Sequence, residues 1–196
     1  MAVYSMEGTQ HDCYLDTTVL INKLGITKQS ELSFAEQRIV TGIYTLLEKE
    51  TSFESVNFDF YKLLHRQLFC DLYEWAGTLR TINISKKGTA FCKVDELERL
   101  GELKFQKLAE MNYLKDLSRD DFLDELTELY NDLNMLHPFR EGNGRTLRLF
   151  ITLLVRNALY DISFSECDAD LLMIATIKAA QGDLGLLREV FGGLIK

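Results

Sequence analysis

The stretch Ser118 to Arg148, SRDDFLDELTELYNDLNMLHPFREGNGRTLR, decides what kind of protein this is. Within it Phe122, Leu126, Leu129, Leu133 and Leu136 recur at steps of four, three, four and three, the spacing that puts side chains on one face of an α-helix. Ser118 opens the stripe, and Asp121 three residues on is a weaker variant of the capping box. His137-Pro138 closes it, because the residue before a proline is pushed out of the helical region. A glycine-rich turn follows, then a second apolar run through Ala158. The local unit is helix, turn, helix.

Working outward, most of the chain reads the same way. Ser33-Phe34-Ala35-Glu36 has the capping-box pattern, and Ile39, Ile43 and Leu46 continue at helical spacing to about Glu50. Asn57 can cap a helix whose face is Tyr61, Leu64 and Leu68. A third helix is predicted from near Asp95 to Met111, with Leu97, Leu100, Leu103 and Leu108 apolar. Two more follow the turn, one from about Asp168 to Gln181 and a last one capped by Asp183. Thr78 to Lys93 breaks the pattern. There Thr81, Ile82, Ile84, Thr89 and Phe91 flank Ser85-Lys86-Lys87-Gly88, which reads as two short strands around a turn, spanning about 80–93. A lone hairpin is marginal in water, so this one must lie on the helices. The expected fold is mainly α, a single domain over residues 1–196 with its core at about 57–160 and a small β-hairpin.

Composition narrows the function. At 196 residues the chain fits one domain, 46% hydrophobic residues supply a core, and a single proline argues against extended disorder. With 22 basic against 30 acidic residues and a net charge of -8, a global basic footprint for nucleic acid is excluded. No window approaches the 18 or so apolar residues of a membrane span, and Met1 to Gln10 carries neither a basic segment nor an apolar run. Cys13, Cys70, Cys92 and Cys167 are scattered, with no zinc-like spacing. These features together read as a cytoplasmic protein with reduced thiols.

The chemistry is concentrated in His137 to Arg148, HPFREGNGRTLR. Gly142 and Gly144 can adopt backbone torsions closed to other residues, letting successive N–H groups form an anion nest. The helix that follows adds its positive N-terminal end. Arg145 and Arg148 share one helix face and can reach the same polyanion. Glu141 could hold a divalent cation that bridges phosphate oxygens. Each part alone has a plain structural reading, as a cap, a turn or a solvated face; their concentration in one short segment favours a phosphate site. The pattern is neither a Walker loop nor a dinucleotide fingerprint. A metal pair at His137 and Glu141 is weak, because Pro138 and Gly142 interrupt the helix it would need.

At these residues the chain resembles the Fic family, whose signature H-x-F-x-[D/E]-G-N-G-R-x-x-R is matched at every specified position. The segments TVLINKLGI (18–26), HRQLF (65–69), YEWAG (73–77) and ISKKGTAFC (84–92) look like landmarks of short bacterial Fic toxins. The resemblance implies a helical Fic fold and transfer of AMP from ATP to a Ser, Thr or Tyr hydroxyl of a target protein. His137 would be the general base, Phe139 a buried anchor, and Glu141 the Mg²⁺ ligand. Gly142, Asn143 and Gly144 would hold phosphate oxygens, with Arg145 and Arg148 on the outer phosphates. The hairpin, Ile84, Ser85, Lys86, Lys87, Gly88, Thr89, Ala90, Phe91 and Cys92, would be a flap on which an extended target segment docks by strand addition. Lys86 and Lys87 could touch target or nucleotide. His65 and Trp75 read as structural residues, and Cys70 and Cys92 as small buried ones.

Many relatives are held inactive by a helix bearing [S/T]-x-x-x-E-[G/N], whose Glu pairs with the second arginine of the signature. The nearest approach here is Thr27 to Glu31, but Leu32 follows, and nothing after Asp168 matches. The resemblance therefore implies the toxin half of a pair, with a separate small antitoxin blocking Arg148. A type II topoisomerase subunit is the target it suggests. Two alternatives stand: phosphate or other nucleotidyl transfer, and a catalytically silent nucleotide-binding regulator. Gly144 favours AMP transfer, since phosphorylating relatives carry Lys there.

Overall fold

The apolar run after the glycine-rich turn folds as a helix, Asn143–Asn157, in which Leu147 and the unbroken series Leu149 to Val155 are buried. A helix covered on all sides is a core helix, and the other elements wrap it. The computed structural model describes residues 5–6 and 12–196 apart from Lys87. Along the chain these give β1 (Ser5–Met6), α1 (Gln29–Glu50), α2 (Phe58–Phe69), β2 (Ile84–Lys86), β3 (Thr89–Ala90), α3 (Leu97–Glu110), α4 (Arg119–Leu136), α5 (Asn143–Asn157), α6 (Ala169–Ala180) and α7 (Gly185–Leu194). Helices α1, α2 and α4 pack on α5, α3 packs against α2 and α4, and the α6–α7 pair closes on α4. Phe150 meets Tyr61 and Phe105 at ring-centroid distances of 5.5 and 5.2 Å, tying α5 to α2 and α3. Burying side chains of this size is worth about 1.5–3 kcal/mol each, so this aromatic centre is a principal source of cohesion.

Several helix starts follow from their caps. The Asn57 side chain accepts from the Phe60 N–H, Ser118 from Asp121, and Asp168 from Asp170 and Leu171. Asp183 accepts from the Gly185 N–H at 3.1 Å, just ahead of α7. The expected α4 stripe is buried, with Leu129 only partly so.

Two faces differ from the sequence reading. Helix α1 begins a turn before Ser33, at Gln29 with Lys28 as an uncapped N-cap. The pattern Ser33 to Glu36 is therefore inside the helix and caps nothing, because the Glu36 carboxylate is engaged elsewhere; Leu46 is 52% exposed. In α3 the inward line is Leu97, Gly101, Phe105 and Leu108, and Leu103 points out. Gly101 sets that line: a Cβ there would lie 2.4 Å from the Phe58 ring.

The hairpin forms as two antiparallel strands, with Ser85 opposite Ala90 and Lys86 opposite Thr89. Gly88 turns the chain at φ +81°. The sheet has a third strand that the sequence reading lacked: β1 pairs antiparallel with β2, Ser5 opposite Ser85 and Met6 opposite Ile84. Lys87, the second lysine of the turn, lies outside the described residues. Among the described residues no helix is long and apolar enough to cross a membrane.

Candidate active site

Where α4 ends, His137 takes a left-handed backbone conformation, φ 44° and ψ 57°, which turns the chain toward α5. Such torsions are uncommon outside glycine, so neighbours must hold them. The His137 N–H donates to Leu133 O at 3.2 Å, and its carbonyl accepts from Arg80 Nε at 2.9 Å. The ring contacts Asn134 O through Nδ1 at 3.0 Å. A carbonyl can only accept, so Nδ1 carries the proton and Nε2 keeps its lone pair. The Phe91 ring stacks on the imidazole, centroids 3.8 Å apart at 13°. Burial lowers the His137 pKa to about 3, a backbone hydrogen bond opposes this, and the charges of Lys86 and Arg80 add to it.

The loop after His137 is locked from inside. Phe139 is fully buried and stacks on His65 at 3.8 Å. Asn143 reaches back to it: Oδ1 accepts from Phe139 N at 2.9 Å and Nδ2 donates to Phe139 O at 2.7 Å. In this structure both polar atoms of the Asn143 side chain are engaged by Phe139. That side chain clasps the loop; in the first turn of α5 the Arg145 and Thr146 N–H groups donate to Gly142 O at 3.1 Å, and those of Asn143 and Gly144 come before any intrahelical acceptor. Gly142 has φ +81°, and a Cβ on it would sit 2.4 Å from the Phe69 ring. Gly144 lies within α5, and what its missing side chain leaves is room beside Arg148, whose Nη1 would be 3.4 Å from a Cβ.

His65 is structural, as its place on an apolar face suggested. The Gly77 N–H donates to its Nδ1 at 2.8 Å, so Nε2 is the protonated nitrogen and donates to Glu141 O at 3.0 Å. Burial lowers its pKa to about 3 as well. Both histidines are thus neutral in the folded chain, whereas unfolded they protonate near 6.5. Below pH 6.5 the unfolded state binds protons the folded state refuses, so stability is full above that pH and falls as pH drops. We expect a loss of about 2 kcal/mol per histidine between pH 6.5 and pH 5. Denaturant titrations at pH 7 and pH 5 measure it, and equal stabilities would mean that the rings are solvated.

Glu141 is buried, with Oε1 accepting the Gly142 N–H at 2.9 Å and standing 3.6 Å from Arg145 Nη2. Burial raises its pKa, opposed by that N–H and by Arg145. Arg145 in turn makes a tight ion pair with Glu36 and lies over the Phe69 ring at 4.7 Å. Glu36 is itself buried, and its other oxygen accepts from the Tyr73 hydroxyl. Glu36 is the site residue that sequence reasoning missed, because the spacing Ser33 to Glu36 reads as a cap. Arg145 is therefore committed to two carboxylates. Among the described residues no carboxylate pairs with Arg148.

A cavity of about 680 Å³ opens over this loop, lined among others by Glu36, Lys86, His137, Glu141, Gly144 and Arg148. It brings together the base candidate, a buried carboxylate, a helix N-terminus and Arg148, whose guanidinium is hydrogen-bonded to Tyr130. Lys86 of the flap reaches it. Cys70 and Cys92 are only partly buried, and burial raises the Cys92 thiol. Trp75 is half-buried on Tyr73 at 4.5 Å.

Comparison with known proteins bears on the family and the fold. Residues 55–155 match the profile described as Fic/DOC family. A protein of Sinorhizobium fredii named probable protein adenylyltransferase y4lH is 35% identical over 89% of this chain and 90% of its own length. Protein adenylyltransferase VbhT of Bartonella schoenbuchensis is 34% identical over 92% of this chain, which spans 38% of that longer protein. The crystal structure of BepC, a VirB-translocated effector of Bartonella tribocorum with bound AMPPNP, superposes with a TM-score of 0.89 at 26% identity, covering 95% of this chain and 97% of that one.

Proposed function

This chain belongs to the Fic/DOC family, and from that premise we propose that it is a protein adenylyltransferase that moves AMP from ATP onto a hydroxyl side chain of another protein. The observation that carries the reading is the neutral, buried His137, Nδ1 held by Asn134 O, at the wall of a cavity that also holds Arg148 and the N-terminus of α5. The AMPPNP bound by BepC shows that this fold accepts an adenine nucleotide.

In the proposed reaction the triphosphate lies on the first turn of α5, with Arg148 on its outer phosphates. His137 Nε2 takes the proton from the target hydroxyl as its oxygen attacks the α-phosphorus, and pyrophosphate leaves. A buried carboxylate on an anion-binding loop fits Mg²⁺, which binds through one or two carboxylates together with substrate phosphates. Glu141 would hold the ion, which would neutralise charge on the phosphates. Arg145, tied to Glu36 and close to Glu141, serves to fix that carboxylate. The flap receives an extended segment of the target, which takes the place of β1 on β2 or adds outside it.

We further read the chain as the toxin of a toxin–antitoxin pair. Among the described residues Arg148 meets the Tyr130 hydroxyl and no carboxylate, which leaves room for a carboxylate supplied by a separate antitoxin, and a type II topoisomerase subunit is a candidate target. Cysteines without disulfide partners suit a reducing cytoplasm. The test is magnesium dependence in a lysate supplied with ATP, read as AMP-modified peptides by mass spectrometry. Modification should require Mg²⁺, and Glu141→Gln should lower its rate at least tenfold at a fixed Mg²⁺ concentration. An unchanged rate in that variant, or equal modification in chelator, would refute the role given to Glu141.

A further inference from the structure

Arg80 lies outside the signature and just before the flap, yet it is only 5% exposed. Among the described residues its partners are carbonyl oxygens. Nε donates to His137 O at 2.9 Å, Nη1 to Ile82 O at 2.8 Å, and Nη2 to Cys92 O. Its backbone N–H donates to Pro138 O at 2.9 Å. The guanidinium therefore touches the chain entering the flap, the chain leaving it, and the residue proposed as base. Two further contacts close the same unit: the Cys92 N–H donates to Met135 O at 2.9 Å, and the Phe91 ring covers the His137 ring.

A buried cation with no carboxylate beside it is an expensive way to satisfy three carbonyls, so packing alone does not account for it. The left-handed turn at His137 does. Its carbonyl has left the helix ladder and needs a donor from elsewhere, and a planar fork with several fixed N–H groups can serve it and two other oxygens at once. An ammonium is a compact point donor that cannot span all three. Resting on the reading of His137 as base and of the hairpin as target dock, we propose that Arg80 is a positioning residue that couples the two. It holds the His137 backbone and both ends of the flap at one spacing, so that a hydroxyl presented on the flap meets Nε2. Nucleotide binding does not pass through Arg80, because the first turn of α5 and Arg148 supply it.

The test is Arg80→Lys, with three readouts beside the parent chain: AMPPNP affinity by calorimetry, transfer of label from α-³²P-ATP to lysate protein at saturating ATP, and the His137 imidazole followed by ¹⁵N NMR through a pH titration. Expected are AMPPNP affinity within about twofold, a transfer rate down tenfold or more, and a ring that samples both tautomers and titrates at higher pH. A folded variant with the parent rate and an unchanged His137 spectrum would overturn the proposal. Should Arg80→Lys not fold, the parent chain answers: the Arg80 Nε–H should give a resolved signal protected from solvent exchange, and exchange as fast as at an exposed arginine would contradict the clasp. His137→Ala run alongside separates the two ideas. Full transfer in that variant would remove the base assignment, while the NMR measurements still judge Arg80.

Discussion

His137→Ala should reduce AMP transfer by about 10²–10⁴-fold, the usual contribution of a positioned general base. The loss should fall on the chemical step. The first turn of α5 and Arg148 stay in place, so AMPPNP affinity should remain close to that of the parent, and single-turnover label transfer will show the deficit. Alanine adopts φ 44° less readily than histidine, so thermal unfolding of the variant accompanies the assay. A pH profile adds a second check. Burial holds His137 near 3, so the base is deprotonated throughout neutral pH, and kcat/KM should be flat from about pH 5 to 8 as far as this group is concerned. An acid limb near 6.5 would mean a solvated imidazole. Transfer in His137→Ala within threefold of the parent would mean that another group accepts the proton.

Glu36→Ala should give the second large effect, this one on stability as well as activity. Glu36 is 3% exposed and holds both the Arg145 guanidinium and the Tyr73 hydroxyl. Removing it strands a half-buried cation and a buried phenol. Breaking such a pair from one side costs about 3 kcal/mol, since the remaining charge keeps its desolvation penalty without a partner. In a chain of this size that lowers Tm by roughly 6–12 °C. Arg145 would then have only Glu141, at 3.6 Å, and should swing toward it or the nucleotide, changing the carboxylate assigned to Mg²⁺. Thermal unfolding and Mg²⁺-dependent transfer measure the two consequences. Glu36→Gln, which keeps an acceptor for Tyr73, should recover part of the stability and little of the magnesium response. Loss of less than 1 kcal/mol in Glu36→Ala would show that the cluster is solvated.

These two residues mark what could and could not be read before the fold was known. His137 lies in a contiguous segment whose residue types, glycines and following helix report their chemistry at close range. The helices were legible for the same reason: Asn57, Ser118 and Asp168 act on N–H groups two or three residues away, and the α4 stripe obeys a local period. Glu36 acts on Arg145 across 109 positions and Arg80 on His137 across 57, and no periodicity encodes such pairings. The local signal at Glu36 was misleading, because a capping-box spacing arises whenever a helix needs a buried carboxylate one turn after a serine. In α3 the line of leucines passed over Gly101. Its value lies in the absent side chain that admits Phe58, whereas pattern reading counts only the leucines around it. The strand β1 is two residues long, too short to show an alternation.

The central claim is that the cavity over His137 to Arg148 moves the α-phosphoryl group with its nucleoside and releases pyrophosphate. The direct measurement is parallel incubation of the purified chain and a cell lysate with α-³²P-ATP and with γ-³²P-ATP, resolved on a gel. Label should enter protein from the α-position alone, and the modified peptide should carry the mass of one AMP. Label from the γ-position would make this a phosphotransferase and contradict the roles given to Arg148 and Gly144. Label from neither, with AMPPNP still bound, would contradict transfer and leave a nucleotide-binding regulator.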